Sequence, residues 1–274
     1  MSETMQQEYR QLWEDFAEGK SDNYLTYKFT PTHRVGLTNT LREEALIACA
    51  ALGKNEVALD VGCAAGTQVF KMAKLAKEAY GVDIAQNFID AADRYKATQN
   101  ISNAYFACAP AEQLPYPDQH FDAVMCGEVL EHVFDADIAL AEIKRVLKIG
   151  GRACISVPNL NADGTLWGRL LRLLGARRFV PMTAFSMAEL AKHGDAHVRE
   201  FSTSGMRAWL EKNGFRVESI NTVSWIDGPS FDFLLKFPLH TRIGRAMLFG
   251  TERALSKTGL SLGRHMVVRA ARIG

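Results

Sequence analysis

Through the middle of the chain, short apolar runs alternate with stretches whose apolar positions recur every three or four residues. The runs at 57–61, 79–84, 104–109, 121–126 and 153–157 read as strands. Their near-continuous apolar character predicts strands buried on both faces. The periodic stretches at 38–51, 68–77, 85–98 and 136–147 read as helices, the first closed by Gly53 and the last by Gly150 and Gly151. Strand, helix, strand, helix at this spacing predicts a parallel sheet with helices on both faces. The rhythm breaks over 160–196 and resumes with a helix at 204–213 and a strand at 215–220. It breaks again over 225–263 before a last strand at 265–271. Residues 1–35 form an aromatic, polar N-terminal arm, read as a lid. The expected organisation is therefore this arm, then one domain over 36–274 with two helical insertions as a substrate cap.

The chain has 274 residues, 47% hydrophobic and 23% charged, with a net charge of +1. These values exclude a disordered, collagen-like or coiled-coil chain. The charge is uneven: residues 1–60 carry −4, residues 61–160 carry −3 and the remainder carries +8. The basic excess falls with the two insertions. Arg169, Arg172, Arg177 and Arg178 interleave with Trp167 and several leucines, and Lys236, Arg242 and Arg245 with Phe233, Phe237 and Phe249. A basic, apolar cap suits a lipid-like or phosphate-linked acceptor, contact with a membrane surface, or a homodimer face. Nucleic acid is not expected, because the overall charge is small. The five cysteines stand singly, with no metal-like spacing, and read as core fillers in a reduced, cytoplasmic protein.

Candidate chemistry begins at Asp60-Val61-Gly62-Cys63-Ala64-Ala65-Gly66-Thr67, between the first strand and its helix. Glycines there admit a ligand close to the backbone, and the helix N-terminus presents unpaired N–H groups. The G-x-x-x-G spacing differs from the dinucleotide fingerprint. Asp83 ends the second strand, where an acid can accept hydrogen bonds from both ribose hydroxyls of a nucleoside. Capping of the next helix is the competing role for that acid.

These segments, with Ala111-Glu112, Leu114-Pro115-Tyr116, Phe121 to Val124, Glu128 to Val133 and Leu147 to Arg152, resemble the ordered motifs of class I S-adenosylmethionine-dependent methyltransferases. The resemblance is to the type 11 branch that includes ubiquinone-biosynthesis O-methyltransferases. It covers residues 40–160 well and 197–222 and 265–273 loosely. It implies a doubly wound, mostly parallel, seven-stranded Rossmann-like sheet whose last strand is antiparallel. It also implies S-adenosyl-L-methionine as cofactor. Gly62, Cys63, Ala64 and Gly66 would then line its methionine and ribose side, with Asp60 near the amino group. Asp83 would hold the ribose hydroxyls and Ile84 would pack on adenine. Ala111, in the Ala111-Glu112 pair, would offer its N–H to the purine, and Gly127 would contribute backbone near the methionine end. Two positions depart from the family pattern: Ala64 replaces its middle glycine, and Pro110 replaces its adenine-binding acid.

Glu128, Glu131 and His132 stand at i, i+3 and i+4, which would place them on one face of a helix. His132, with Glu128, reads as the catalytic pair that relieves an acceptor hydroxyl of its proton. The same three residues are candidates to hold a divalent metal, which the resemblance permits without requiring. Tyr24, Tyr27, His33, Arg34, His193 and His197 are further candidates for the substrate wall. The expected activity is methyl transfer to a small-molecule or lipid-like acceptor, most simply at a hydroxyl oxygen. The alternatives are N- or C-methylation, a cofactor-binding scaffold without transfer, and metal-assisted RNA 2′-O-methylation.

Overall fold

A computed structural model describes residues 3–18, 34–159, 201–224, 250, 251, 254, 263 and 265–274. The insertions therefore lie almost wholly outside the described residues, as do Tyr24, Tyr27, His33, His193, His197 and the side chain of Arg34. The elements are α1 (Glu3–Ala17), α2 (Arg34–Ala50), β1 (Val57–Val61), α3 (Thr67–Ala73), β2 (Glu78–Asp83), α4 (Gln86–Thr98), β3 (Ala104–Cys108), β4 (Phe121–Gly127), α5 (Ala136–Val146), β5 (Leu147–Pro158), α6 (Thr203–Lys212), β6 (Phe215–Val223) and β7 (His265–Arg272).

The seven strands form one sheet in the order β3-β2-β1-β4-β5-β7-β6. β1 to β5 run parallel, and β7 is antiparallel to both β5 and β6. This is the predicted architecture. Alternate residues of each strand feed two cores. Leu59, Val61, Val124 and Ile155 meet Leu140, Ile143 and Val146 of α5 and Met206 and Leu210 of α6. Ala58, Ala123, Met125 and Cys154 meet Leu46 of α2, Met72 of α3 and Ile89 and Ala92 of α4. Small residues on the second face let three helices pack close to the sheet. Cys63, Cys126 and Cys154 are buried, and all five cysteines are free thiols.

Several boundaries shift by a few residues, the first helix of the domain starting at Arg34 and the helix after β1 ending at Ala73, and one differs in kind. α5 stops at Val146 because Leu147 turns to an extended backbone (φ −78, ψ 136). Leu147 then pairs with Phe121, and β5 passes through a kink at Gly150 (φ +76). The two glycines bend a strand rather than close a helix. No helix among the described residues is long and apolar enough to cross a membrane.

Candidate functional site

The switch in strand order between β1 and β4 opens a crevice at the carboxyl ends of the strands, where ligands bind in open α/β sheets. The turn after β1 is wound tightly there. Gly62 (φ +72), Ala64 (φ +45) and Gly66 (φ +84) all adopt left-handed backbone. The N–H groups of Gly62 and Cys63 both donate to the Val82 carbonyl, at 2.8 and 3.0 Å. A side chain on Gly62 would come within 2.2 Å of Val129, and one on Gly66 within 2.7 Å of Phe106. The turn is thus a backbone cradle closed to side chains at these two positions.

Asp83 locks this cradle from the end of β2. Its Oδ2 accepts from the Ala64 N–H at 2.8 Å and its Oδ1 from the Ala85 N–H at 3.0 Å. The first bond holds Ala64 in a conformation that costs an L-residue about 1–2 kcal/mol. Burial lifts the Asp83 carboxyl to about 6, while the backbone N–H groups of Ala85 and Ala64 work in the opposite direction. Asp60, on the neighbouring strand, is buried and pushed well above the ordinary carboxylate range by burial, then by Glu43 and Asp83. Glu43 itself is paired with Lys71.

On the other side of the crevice, Ile84 and Ala111 are half-buried. The Glu112 carboxylate accepts from the N–H groups of Phe134 (3.0 Å) and Asp135 (3.3 Å), so it ties this loop to the start of α5. Arg145 braces the same loop by donating to the carbonyls of Leu114 and Tyr116. A side chain on Gly127, at the end of β4, would strike Leu46 at 2.8 Å and lie 3.6 Å from the Gln68 Nε2.

The stretch 128–134 is a single turn, not the helix its spacing suggested. Glu128 has left-handed backbone (φ +58), which breaks the periodicity. Its carboxylate is gripped from three elements. Ser156 donates to Oε1 at 3.0 Å, His265 Nε2 lies 3.5 Å from Oε2, and the Arg42 guanidinium lies 3.9 Å away. Ser224 Oγ, 3.3 Å from Nδ1, seats the His265 ring. Arg42, Ser156, Ser224 and His265 went unremarked in the sequence, because they come from distant segments and carry no local motif. His132 faces away from this cluster, its ring edge-on to Trp13 of α1 with centroids 5.6 Å apart.

Glu131 turns inward and is fully buried, and neither carboxylate oxygen has a hydrogen-bond partner. Burial, then the charge of Glu128, pushes its carboxyl well up. Among the described residues, no three His, Cys, Asp or Glu side chains converge as a cation cage. Glu128, Glu131 and His132 therefore do not fit a metal, and no step is derived through one. Because the folded-state Glu131 value lies above the unfolded one, its stabilising share exists at low pH and is lost as pH rises. Glu131→Met should raise the melting temperature at pH 8, corresponding to about 1–3 kcal/mol, and progressively less towards pH 5. A variant that melts earlier at every pH would show that the carboxyl is satisfied in the folded protein.

Residues 59–155 match the methyltransferase-domain family. YcgJ, a methyltransferase of Bacillus subtilis, is 33% identical over 94 residues, which cover 34% of this chain and only 37% of YcgJ. The ubiquinone biosynthesis O-methyltransferase of Coxiella burnetii is 28% identical over 172 residues, covering 63% of this chain and 68% of that protein. The crystal structure of YcgJ superposes with a TM-score of 0.53 at 20% identity, covering 84% of this chain and 99% of YcgJ. The [4+2]-cyclase SpnF superposes with a TM-score of 0.56, also at 20% identity, covering 85% of this chain and 80% of SpnF. The fold alone thus serves more than one chemistry. Residues 59–155 are a methyltransferase domain, and the chain is an S-adenosylmethionine-dependent methyltransferase. The relatives it resembles over more than half its length are ubiquinone-biosynthesis O-methyltransferases.

The crevice fits that cofactor on its own geometry. The cradle admits no side chain at Gly62 or Gly66. Several polar atoms around the crevice are also buried without a partner: Thr67 Oγ1, Gln68 Oε1, Arg42 Nε and Trp13 Nε1. Such groups are costly unless a ligand completes them.

Proposed function

We propose that the protein methylates a hydroxyl oxygen of a small-molecule or lipid-like acceptor. The observation that carries this reading is the Glu128 carboxylate, fixed by Ser156 and His265 beside Gly127 at the end of β4. A fixed carboxylate there suits a nucleophile that must shed a proton, as a hydroxyl does and a neutral amine does not. The O-methyltransferase relatives support the same reading.

In this proposal Gly62, Cys63, Ala64 and Gly66 cradle the methionine and ribose portions, and Asp60 faces the amino group. Asp83 accepts from the ribose hydroxyls. Ile84 and Ala111 border the purine, Glu112 fixes the loop that carries Ala111, and Gly127 leaves room for the methionine end. Bound S-adenosylmethionine supplies an activated methyl group on its sulfonium. The chain's own contribution is alignment and proton management. Glu128 takes the acceptor proton, and His132, at the mouth beside α1, borders the acceptor. Residues 1–35 act as a lid, and the segments 160–196 and 225–263, joined to the sheet at this edge, form the acceptor cap. Membrane-surface contact through their basic, apolar composition belongs to the same proposal.

The test begins with calorimetric titration by S-adenosylhomocysteine. It continues with transfer of a labelled methyl from S-adenosylmethionine to matched phenol, amine and carbon-acid acceptors, plain and prenylated. Micromolar product binding and transfer to phenols are expected. Glu128→Gln should bind S-adenosylhomocysteine normally and turn over about 100-fold more slowly. Transfer confined to amines or carbon acids, or full turnover by Glu128→Gln, would overturn the reading.

A further inference from the structure

α1 lies across the mouth of the crevice. Tyr9, Trp13, Phe16 and Ala17 fall at helical spacing on one face of it. The Tyr9 hydroxyl donates to the His132 carbonyl at 2.8 Å. Glu14 accepts from the N–H groups of Gln86 and Asn87, at 2.7 and 3.3 Å. It thereby caps α4, whose own N-cap, Ala85, has no side-chain acceptor. Ala17, Trp13 and Phe16 pack against Ala64, Ala65, Ala85 and Phe88. One helix thus touches the turns after β1, β2 and β4, three of those that border the proposed cofactor position.

Among the described side chains of this face, one polar group is left over. Trp13 Nε1 is buried without a hydrogen-bond partner. The Tyr9 oxygen beside it draws on the indole N–H without the alignment of a full hydrogen bond. The indole can only donate. It lies on the ring that meets His132 and packs against Ala64, so it faces the crevice side of the helix. Tyr9, beside it, is buried and feels the charges of both Asp83 and Glu112, one from each side of the adenosine position.

We propose that α1 is a wall of the adenosine pocket and that the Trp13 indole N–H donates to an acceptor atom of the bound adenosine, a purine ring nitrogen or a ribose oxygen. The inference rests on the cofactor site proposed above and adds residues to it. Binding then orders α1 against three turns at once, with the Tyr9 hydroxyl fixing the helix and Trp13 reading the ligand.

Trp13→Phe keeps an aromatic ring and removes the donor. It should weaken both S-adenosylhomocysteine and 5′-methylthioadenosine by the same factor, about 5- to 10-fold. The second ligand carries the adenosine without the amino acid, so an equal loss places the contact on the nucleoside. In the wild type, the indole N–H resonance that Trp13→Phe deletes should shift downfield when 5′-methylthioadenosine binds. That reading depends on the folded wild type and stands even where the variant melts early. The 3-deaza, 7-deaza and 2′-deoxy analogues identify the accepting atom as the one whose removal makes wild type and variant equal. Unchanged affinity in Trp13→Phe, or an indole resonance that ignores the nucleoside, would overturn the inference. Asp83→Ala is measured alongside. Should it too bind like wild type, the cofactor site itself is misplaced, which is a different failure.

Discussion

Gly62→Ala is expected to lower cofactor affinity by more than 100-fold while the sheet still folds. Two separate penalties meet at this residue. Its φ of +72 lies in the left-handed region, where a methyl group costs about 1–2 kcal/mol. The added Cβ would also sit 2.2 Å from the Val129 Cγ2, far inside contact distance. Val129 packs against the core and belongs to the turn that presents Glu128 and His132, so it cannot retreat freely. The cheaper response is for the cradle to shift, which would loosen the bonds from Gly62 and Cys63 to the Val82 carbonyl. Calorimetry with S-adenosylhomocysteine measures the loss, and a melting curve shows whether the fold survives. The double variant Gly62→Ala/Val129→Ala separates the two penalties. It should recover the part caused by collision and leave the part caused by backbone strain. Near-normal binding by Gly62→Ala alone would show that the turn after β1 does not carry the cofactor.

The parallel half of the fold was legible because buried strands are written as unbroken apolar runs. The cradle was legible because glycine at a strand-to-helix turn has a local physical cause. Features built from distant segments were not. His265 reaches Glu128 from β7 and is seated by Ser224, just past the end of β6, and neither stands out from its neighbours in sequence. Gly81 reads as an ordinary strand residue. Its need appears only when the Cys63 Sγ is found 2.8 Å from where a Cβ would go. The Glu128-x-x-Glu131-His132 spacing misled for a related reason. Helical periodicity assumes helical backbone at every step, and the left-handed Glu128 breaks it at the first residue. The result sends Glu131 inward and His132 towards α1. The aromatic arm announced that it would pack, but not where. Glu14 supplies the cap that α4 lacks, which is a long-range arrangement that propensity cannot anticipate.

Asp83 joins the cradle to the ribose position, and its substitution should separate binding from folding through pH. Asp83→Ala removes the acceptor for two backbone N–H groups and, on the proposed site, for the ribose hydroxyls. Charge-assisted hydrogen bonds of this kind amount to about 1.5–3 kcal/mol, so cofactor affinity should fall about 10- to 150-fold at pH 7.5. The wild type should carry a pH signature that the variant lacks. Burial places the Asp83 carboxyl at about 6 in the free protein. Hydroxyl donors favour its ionised form, so below that pH the cofactor must displace a proton. Wild-type affinity should therefore nearly hold from pH 8 to about 6.5 and weaken about fivefold between pH 6 and 5, roughly tenfold below its pH 8 value. The stability sign is opposite. A carboxyl raised above its unfolded value favours the folded state at low pH, and that share is lost as pH rises through about 6. Acidification should thus weaken cofactor binding by the wild type over the interval in which Asp83 itself becomes less costly to bury. A titration series from pH 5 to 8 on wild type and Asp83→Ala decides the matter. A flat wild-type profile would remove Asp83 from the ribose contact and leave it as the brace of Ala64, whereas equal affinities at pH 7.5 would move the cofactor site itself.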